Sequence, residues 1–327
     1  MIKLWITNSK GAFDITELTP SITWSGEVSQ CARTLSAGII SSCADKNIPA
    51  VLYELGNSIT MKSGKVTLFE GYILERQKNT ESSIIDITCY DKGFYLNKNK
   101  TTYKFKNSTP ETIVKTVCRD FGIAMGPIAE TGVKISRNFI GVSLYQIIQT
   151  AYTLASEQTG EQYMIRFAGP KLNVIKKGIT AETMVIEGGS NLMSASISES
   201  ITSMVNQVAI YDHKDKLVRI VKDEEAIKSF GLMQNYLNQP QKTDVTAEAK
   251  KLIKDNGITQ RITIDNLGNI ANIAGGAVVV REPYTGLDGL FYIDADVHTW
   301  KSGQYYNKLT VNFKNIMDKQ GAGSLPD

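Results

Sequence analysis

Asp294, Asp296 and His298 alternate in the stretch GLFYIDADVHTW, a spacing that turns all three side chains to one face of a β-strand. Two carboxylates and an imidazole on one face have the chemistry to hold a divalent metal, or to pair a general base with the group that orients it. The rest of the chain offers little to complete either arrangement. The sequence has only two histidines, and the other, His213, lies in the polar turn YDHKDK. Metal and hydrolase sites draw their ligands from several elements, and no second cluster accompanies this one. The pattern therefore favours a polar strand face carrying a buried or interfacial imidazole. Asp294, Asp296 and His298 remain the candidates for a metal; no residue is assigned a catalytic or cofactor-binding role.

Other motifs end in the same place. Ser63-Gly64-Lys65 resembles the end of a phosphate-binding loop, but the spaced first glycine and the following Ser or Thr are missing, so it reads as a turn. Gly188-Gly189-Ser190 and Gly275-Gly276 precede no helix and fit no dinucleotide fingerprint. The chain has no GxSxG elbow and no HExxH pair. Glu224 and Glu225 are adjacent on a predicted helix, where neighbours face different ways, and they suit its N-terminal dipole. Cys31, Cys43, Cys89 and Cys118 form no CxxC pair. Cys89 and Cys118 sit among apolar neighbours and read as core residues. A Cys31–Cys43 disulfide is open, although so sparse a set suits a reducing compartment.

These residues must be positioned by a chain of 327 residues, enough for two or three domains. A hydrophobic content of 42% lets each domain bury a core. The 36 Lys and Arg against 33 Asp and Glu give a formal charge of +3, too small an excess for a nucleic-acid-binding surface. The densest basic stretch, residues 91–106 (DKGFYLNKNKTTYKFK), interleaves Lys with Tyr95, Tyr103 and Phe105 and reads as a strand with lysines on its solvent face. The N-terminal MIKLWITNSK lacks the apolar run of a signal peptide, and no stretch approaches the roughly 18 apolar residues of a membrane span. These features predict a protein made and folded in the cytoplasm.

Three zones follow from periodicity. Residues 1–97 are strand-rich: Ile2, Leu4 and Ile6 alternate, and VTLFEGYILER contains Gly71 where a bulge glycine would fit. Residues 98–178 read as a small α+β domain. Ser108 and Glu111 form a predicted capping box for a helix lined by Ile113, Val114, Val117, Cys118 and Phe121 and stopped by Gly122. A second helix starts at Ser143 with Gln146, and a hairpin turns at Ala168-Gly169-Pro170. Residues 179–327 return to strands, with a helical insertion at about 223–257 and a closing KQGAGSLPD expected to fray. The fold class is α+β but mostly β, with two antiparallel β-barrel domains flanking the helix-containing domain.

Several stretches, taken in order, carry a resemblance that covers nearly the whole chain. They are LGNSITMKSGKVTLFEGYILERQ, ITCYDKGFYLNKNKTTYKF, NSTPETIVKTVCRDFGI, MVNQVAIYD, IKSFGLMQ and GLFYIDADVHTWKSGQYYNKLTVNF. In this order they resemble the XkdQ/YqbQ family of tail proteins from phages and phage-derived particles of Gram-positive bacteria. That family is related to the baseplate hub of contractile-tailed phages, to late-control protein D and to the hub half of type VI secretion spikes. The resemblance implies a homotrimer whose barrels alternate in a pseudo-sixfold ring between tail tube and central spike. It implies as partners the tube protein or a tube initiator, the spike and baseplate wedge components. It places the protein in the baseplate of a virion, prophage particle or tailocin assembled in the host cytoplasm, and carries over no catalytic residue, cofactor, membrane or sequence-specific nucleic acid. The alternatives are a tail-associated cell-wall hydrolase, against which the sparse histidines speak, and a carbohydrate-binding tail-tip module. For the latter, Trp5, Trp24 and Trp300 are too scattered to decide.

Overall fold

The computed structural model describes residues 2–42, 45–80, 82–178, 184–241 and 243–326. The first zone forms β1 (Ile2–Asn8), β2 (Gly11–Asp14), β3 (Ser21–Glu27), β4 (Thr34–Ile40), β5 (Ser58–Ser63), β6 (Val66–Lys78), β7 (Ile84–Asp91) and the short helix α1 (Gly93–Lys98). The middle comprises β8 (Lys100–Ser108), α2 (Pro110–Asp120), β9 (Met125–Ile128), β10 (Ile135–Ser143), α3 (Leu144–Thr159), β11 (Tyr163–Ala168) and β12 (Lys171–Lys176). The remainder holds β13 (Met184–Glu187), β14 (Leu192–Ser200), β15 (Gln207–Tyr211), β16 (Leu217–Lys222), α4 (Glu224–Phe230), β17 (Gln234–Asn238), α5 (Thr246–Asp255), β18 (Thr259–Leu267), β19 (Ala277–Glu282), β20 (Leu287–Lys301) and β21 (Gln304–Asn312). The chain is thus mostly β, as its alternating patterns predict.

Strands from both ends share one sheet. Its path runs β14-β18-β21-β20-β3-β4-β7-β6-β5-β1-β2, with β19 branching from β20 and β13 from β19. No pairing among the described residues closes this path into a ring. Inward residues follow the period of two: Leu4 and Ile6, Ile22 and Trp24, Leu35 and Ile39, Ile59 and Met61, Ile85, Ile87 and Cys89 are all buried together. The middle zone has its own core, where α2 presents Ile113, Val114, Val117 and Cys118, and α3 presents Ile147, Ile148, Ala151 and Tyr152. Cys89 and Cys118 are core residues, as read. Cys31 is a free buried thiol, and Cys43 lies outside the described residues.

Two compact units emerge, one of residues 1–195 and 263–327, the other of residues 196–262. In the smaller unit, β16, β15 and β17 form a separate three-stranded sheet, and Val208 and Ile210 pack with Val245 and Ala249 on and beside α5. The strands NQVAIYD and KLVRIVK therefore leave the large sheet, because their apolar partner is the local helix.

Two short-range signals match the structure. Ser143 and Gln146 form the capping box of α3, and Ala168 pairs with Lys171 across the two-residue turn. The cap of α2 is displaced by one residue. Thr109, not Ser108, accepts the Thr112 N–H (3.4 Å), because Ser108 still pairs with Ile135 in the β8–β10 ladder. The Glu111 carboxylate turns instead to the Thr131 N–H. Phe121 caps the helix C-terminus and stays 38% exposed rather than joining the apolar face. The closing segment, as far as it is described, is tied to the fold rather than frayed. Ser324 exchanges both backbone hydrogen bonds with Asn138 (2.9 Å each), and Ala322 donates its N–H to Thr150 Oγ1 (3.1 Å). These bonds tie the tail along β10 and α3.

Gly71 is not in a bulge. It pairs regularly with Ile59 and Asp91, between register shifts at Met61/Lys62 and Ile73/Glu75. A glycine is needed there because a Cβ would meet the Tyr90 carbonyl oxygen at 2.3 Å. Gly93 is tighter still: its Cβ would lie 2.1 Å from the Cys31 carbonyl oxygen and 2.6 Å from its carbon. Backbone cannot swing aside as a side chain can, so Gly93→Ala is expected to cost about 1–3 kcal/mol, against near neutrality for an alanine at an uncrowded exposed site. Urea denaturation measures this; a midpoint equal to the parent's would show that the β3–β4 loop moves freely away from α1.

Candidate functional site

The predicted one-face triplet is split by a bulge. In the β20–β21 ladder Ile293 pairs with Val311 and Ala295 with Thr310, which leaves Asp294 as an extra residue. At the same point the other edge of β20 changes partner from β19 to β3. Asp294 therefore falls out of phase with Asp296 and His298. Its carbonyl accepts the Val28 N–H (2.8 Å), and its carboxylate takes the buried Lys177 ammonium (3.1 Å). Burial lowers the Lys177 pKa, and Asp294 opposes that effect.

Asp296 and His298 turn inward and are fully buried. Cross-strand register sets Asp296 opposite Gly26 and His298 opposite Trp24. Gly26 leaves a gap that the Arg33 guanidinium fills, since a Cβ there would meet Arg33 Nη1 at 2.5 Å. Arg33 reaches this gap from the turn before β4. Its guanidinium lies over the Trp24 ring, 4.0 Å from the centroid, and forks onto the carboxylate. Nη1 donates to Asp296 Oδ1 (3.0 Å) and Nη2 to Oδ2. The Ala274 N–H adds a third bond to Oδ1 (2.6 Å). Burial alone would raise the Asp296 pKa, but the Arg33 charge and the bonds from His298 and Arg33 hold it below the usual carboxylate value.

His298 continues the network. Its Nε2 faces two acceptors, Asp296 Oδ2 and the Asn272 carbonyl (both 3.1 Å). Nδ1 faces the Asn307 amide (2.9 Å) and the Tyr305 hydroxyl (2.7 Å). Asn307 Oδ1 accepts the Asn269 N–H (2.7 Å), so its amide nitrogen is the donor to the ring. The proton then sits on Nε2, a tautomer assigned from these partners. Tyr305 in turn stacks on Trp300 at 4.4 Å.

The chemistry of this cluster is that of a closed polar core. The carboxylate's lone pairs are committed to arginine, a backbone N–H and histidine, and neither imidazole nitrogen is left to bind a substrate. Among the described residues no group of three or more His, Cys, Asp or Glu is arranged to hold a metal ion. Sequence reasoning missed Arg33, which no local pattern betrays. A signal did exist for Asn307: it lies in phase with the buried Leu309 and Val311, a polar residue on a core face.

The remaining sequence candidates are apart from this cluster. His213 is exposed, with Nε2 3.2 Å from the Gln241 amide nitrogen. Ser63-Gly64-Lys65 is the β5–β6 turn, with Gly64 at φ +57°. Asp223 caps α4 through the Ala226 N–H (3.0 Å), with Glu224 and Glu225 in the first turn as read. No helix among the described residues is long and apolar enough to cross a membrane.

Comparison with known proteins adds to this geometry. The family model described as YQBQ-like matches residues 22–312. The chain is 25% identical to the phage-like element PBSX protein XkdQ of Bacillus subtilis (strain 168), over 97% of this chain and 98% of that protein. Its fold is similar to that of the 43 kDa tail protein of prophage MuSo2 from Shewanella oneidensis (TM-score 0.69, 14% identity, 95% and 98% of the two chains). It is also similar to the E. coli c3393 protein, a type VI secretion component described as resembling the T4 tail proteins gp27 and gp5 (TM-score 0.53, 9% identity, 94% and 76% of the chains).

Proposed function

Because the chain belongs to the YQBQ-like family, we propose that it is a structural baseplate protein of a contractile phage tail or phage-derived particle. In that particle three copies form the hub ring that joins the tail tube to the central spike. The observation that carries this reading is the end-to-end relation to a protein of a phage-like element, in a fold shared with a prophage tail protein. The strand-rich ends, residues 1–97 and 179–327, act as two barrel-like domains around the middle domain of residues 98–178. Alternating about a threefold axis, they present a pseudo-sixfold face to the tube.

The sheet offers a physical means of assembly. Its path ends on β2 and β14, strands with an edge whose N–H and C=O groups can take a neighbour's strand. A contact between different edges of adjacent copies is heterologous, and it closes at three if the rotation is 120°. Permanent interfaces of this kind commonly bury more than about 2,000 Å². The chain does no catalysis in this role and needs no cofactor or metal; Asp294, Asp296 and His298 serve the fold. Its partners are the tube protein or a tube initiator, the spike and the baseplate wedges. It neither enters a membrane nor reads nucleic-acid sequence.

Cryo-electron microscopy of the intact particle tests the proposal. The expected result is three copies around the tail axis at the tube–spike junction, with the isolated protein a trimer or a concentration-dependent monomer–trimer mixture by mass. A sixfold ring of this chain, or a position off the tail axis, would overturn it.

A further inference from the structure

The basic stretch at residues 92–106 carries charge that no ion pair among the described residues uses. It holds five lysines and no acidic residue, against +3 for the whole chain. Among the described residues the lysine ion pairs are those of Lys3, Lys176, Lys177 and Lys222. None of the five has a carboxylate partner there. Lys98, Lys100, Lys104 and Lys106 are exposed and Lys92 is half-buried.

Beside them lies a hollow of about 400 Å³, at the junction of α1 with the C-terminal end of α2. Lys92 and Asn99 stand on its rim, and its walls are aromatic: Tyr72, Tyr95, Phe121 and Phe167. Tyr95 and Phe121 remain 40% and 38% exposed, and Tyr72 meets Tyr95 edge-on at 6.3 Å. Lys98 sits over the neighbouring Phe94 ring at 5.1 Å. The hollow has the size of a ligand pocket and the aromatic lining of an interface anchor site.

We infer that this face docks an acidic protein segment, which inserts an aromatic or large aliphatic side chain between Tyr95 and Phe121 and sets Asp or Glu residues against Lys92, Lys98 and Lys100. Charge complementarity selects the acidic partner, and the recessed hollow selects a side-chain anchor. Nucleic acid fits less well, because base stacking needs rings presented along the basic groove. Here the rings interleaved with the strand lysines are spoken for. Tyr103 donates its hydroxyl to Asp120 (2.7 Å) and packs on Phe105 at 5.2 Å, and Phe105 is buried against Phe139. The docking face does not depend on the ring, so either can fail without the other.

The test is a selection from a displayed library of random linear peptides on the immobilised full chain, with affinities then measured by fluorescence anisotropy. Enriched peptides are expected to carry Phe, Trp, Leu or Met flanked by Asp or Glu, and to weaken as salt is raised. Replacing the peptide's anchor by Ala, or testing Lys92→Glu/Lys98→Glu or Tyr95→Ala protein, should each weaken binding by about tenfold or more. Among the described residues these lysines have no carboxylate partner, and Lys98 gives up only its contact with the Phe94 ring, so the charge-reversed protein should stay folded, which its melting curve checks. No enrichment, enriched peptides without acidic residues, or charge reversal without effect would overturn the proposal. So would a single-stranded oligonucleotide that binds more tightly than the best peptide and is lost in the same variant.

Discussion

Asp296→Ala is expected to destabilise the protein by about 3–5 kcal/mol, the range for removing one partner of a buried ion pair. Several losses coincide. The Arg33 guanidinium is 9% exposed in the pair and would be left over Trp24 without a counter-charge. The Ala274 N–H would lose its acceptor, and His298 Nε2 one of its two. Restoring neutrality should recover much of this. The double variant Arg33→Met/Asp296→Leu removes both charges and keeps apolar volume, so it is expected to be more stable than Asp296→Ala. Urea denaturation at constant m gives both numbers. A single variant within about 1 kcal/mol of the parent, or a double variant less stable than the single, would show that the pair does not hold β20 to β3 and β4.

The second large effect is a pH dependence centred on Asp91. This carboxylate is buried beneath the start of α1, where it accepts N–H bonds from Arg33 (3.1 Å) and Gly93 (2.8 Å). Burial raises its pKa to about 7, against the opposing pull of those bonds and of the Arg33 charge. The folded state therefore keeps a proton that the unfolded chain, with an ordinary value of 3.8, has already released. The resulting stability is fully present below about pH 4 and is lost as pH rises through about 7. A carboxyl group held this far above its ordinary value contributes at most about 4 kcal/mol. Asp296 does not obscure this window, because its lowered pKa places its contribution at more acid pH, where stability falls as pH falls. Asp91→Asn should flatten the decline between pH 5 and pH 7.5 in thermal melting, whatever it does to the absolute midpoint. A slope unchanged from the parent would assign the dependence to another group.

The hydrogen bonds around Asp91 and Asp296 also mark where sequence reading stops. Alternation made Asp296 and His298 legible as a same-face pair, and both are buried together. It misplaced Asp294, because a bulge inserts one residue and reverses the phase of everything beyond it. Arg33 and Asn272 reach Asp296 and His298 from outside the β20–β21 hairpin, and no local spacing encodes such a meeting, whereas Asn307 lies directly opposite His298 within it. The tail shows the same limit. KQGAGSLPD has the composition of a frayed end, yet Ser324 and Ala322 find Asn138 and Thr150.

By itself the sequence determined what is short-range: the mostly-β class, the strand faces, the capping box at Ser143, the hairpin at Gly169-Pro170 and the aliphatic faces of α2 and α3. Side-chain period and turn chemistry act over a few residues, so a single chain displays them. The order of its motifs also pointed to the family. Only the tertiary structure decided that strands from both ends share one sheet, that NQVAIYD and KLVRIVK leave it for a smaller one, and that a buried arginine sits at the junction. Strand pairing across more than 250 residues is fixed by which faces and backbone groups complement one another in space. The chain records each partner but not their encounter.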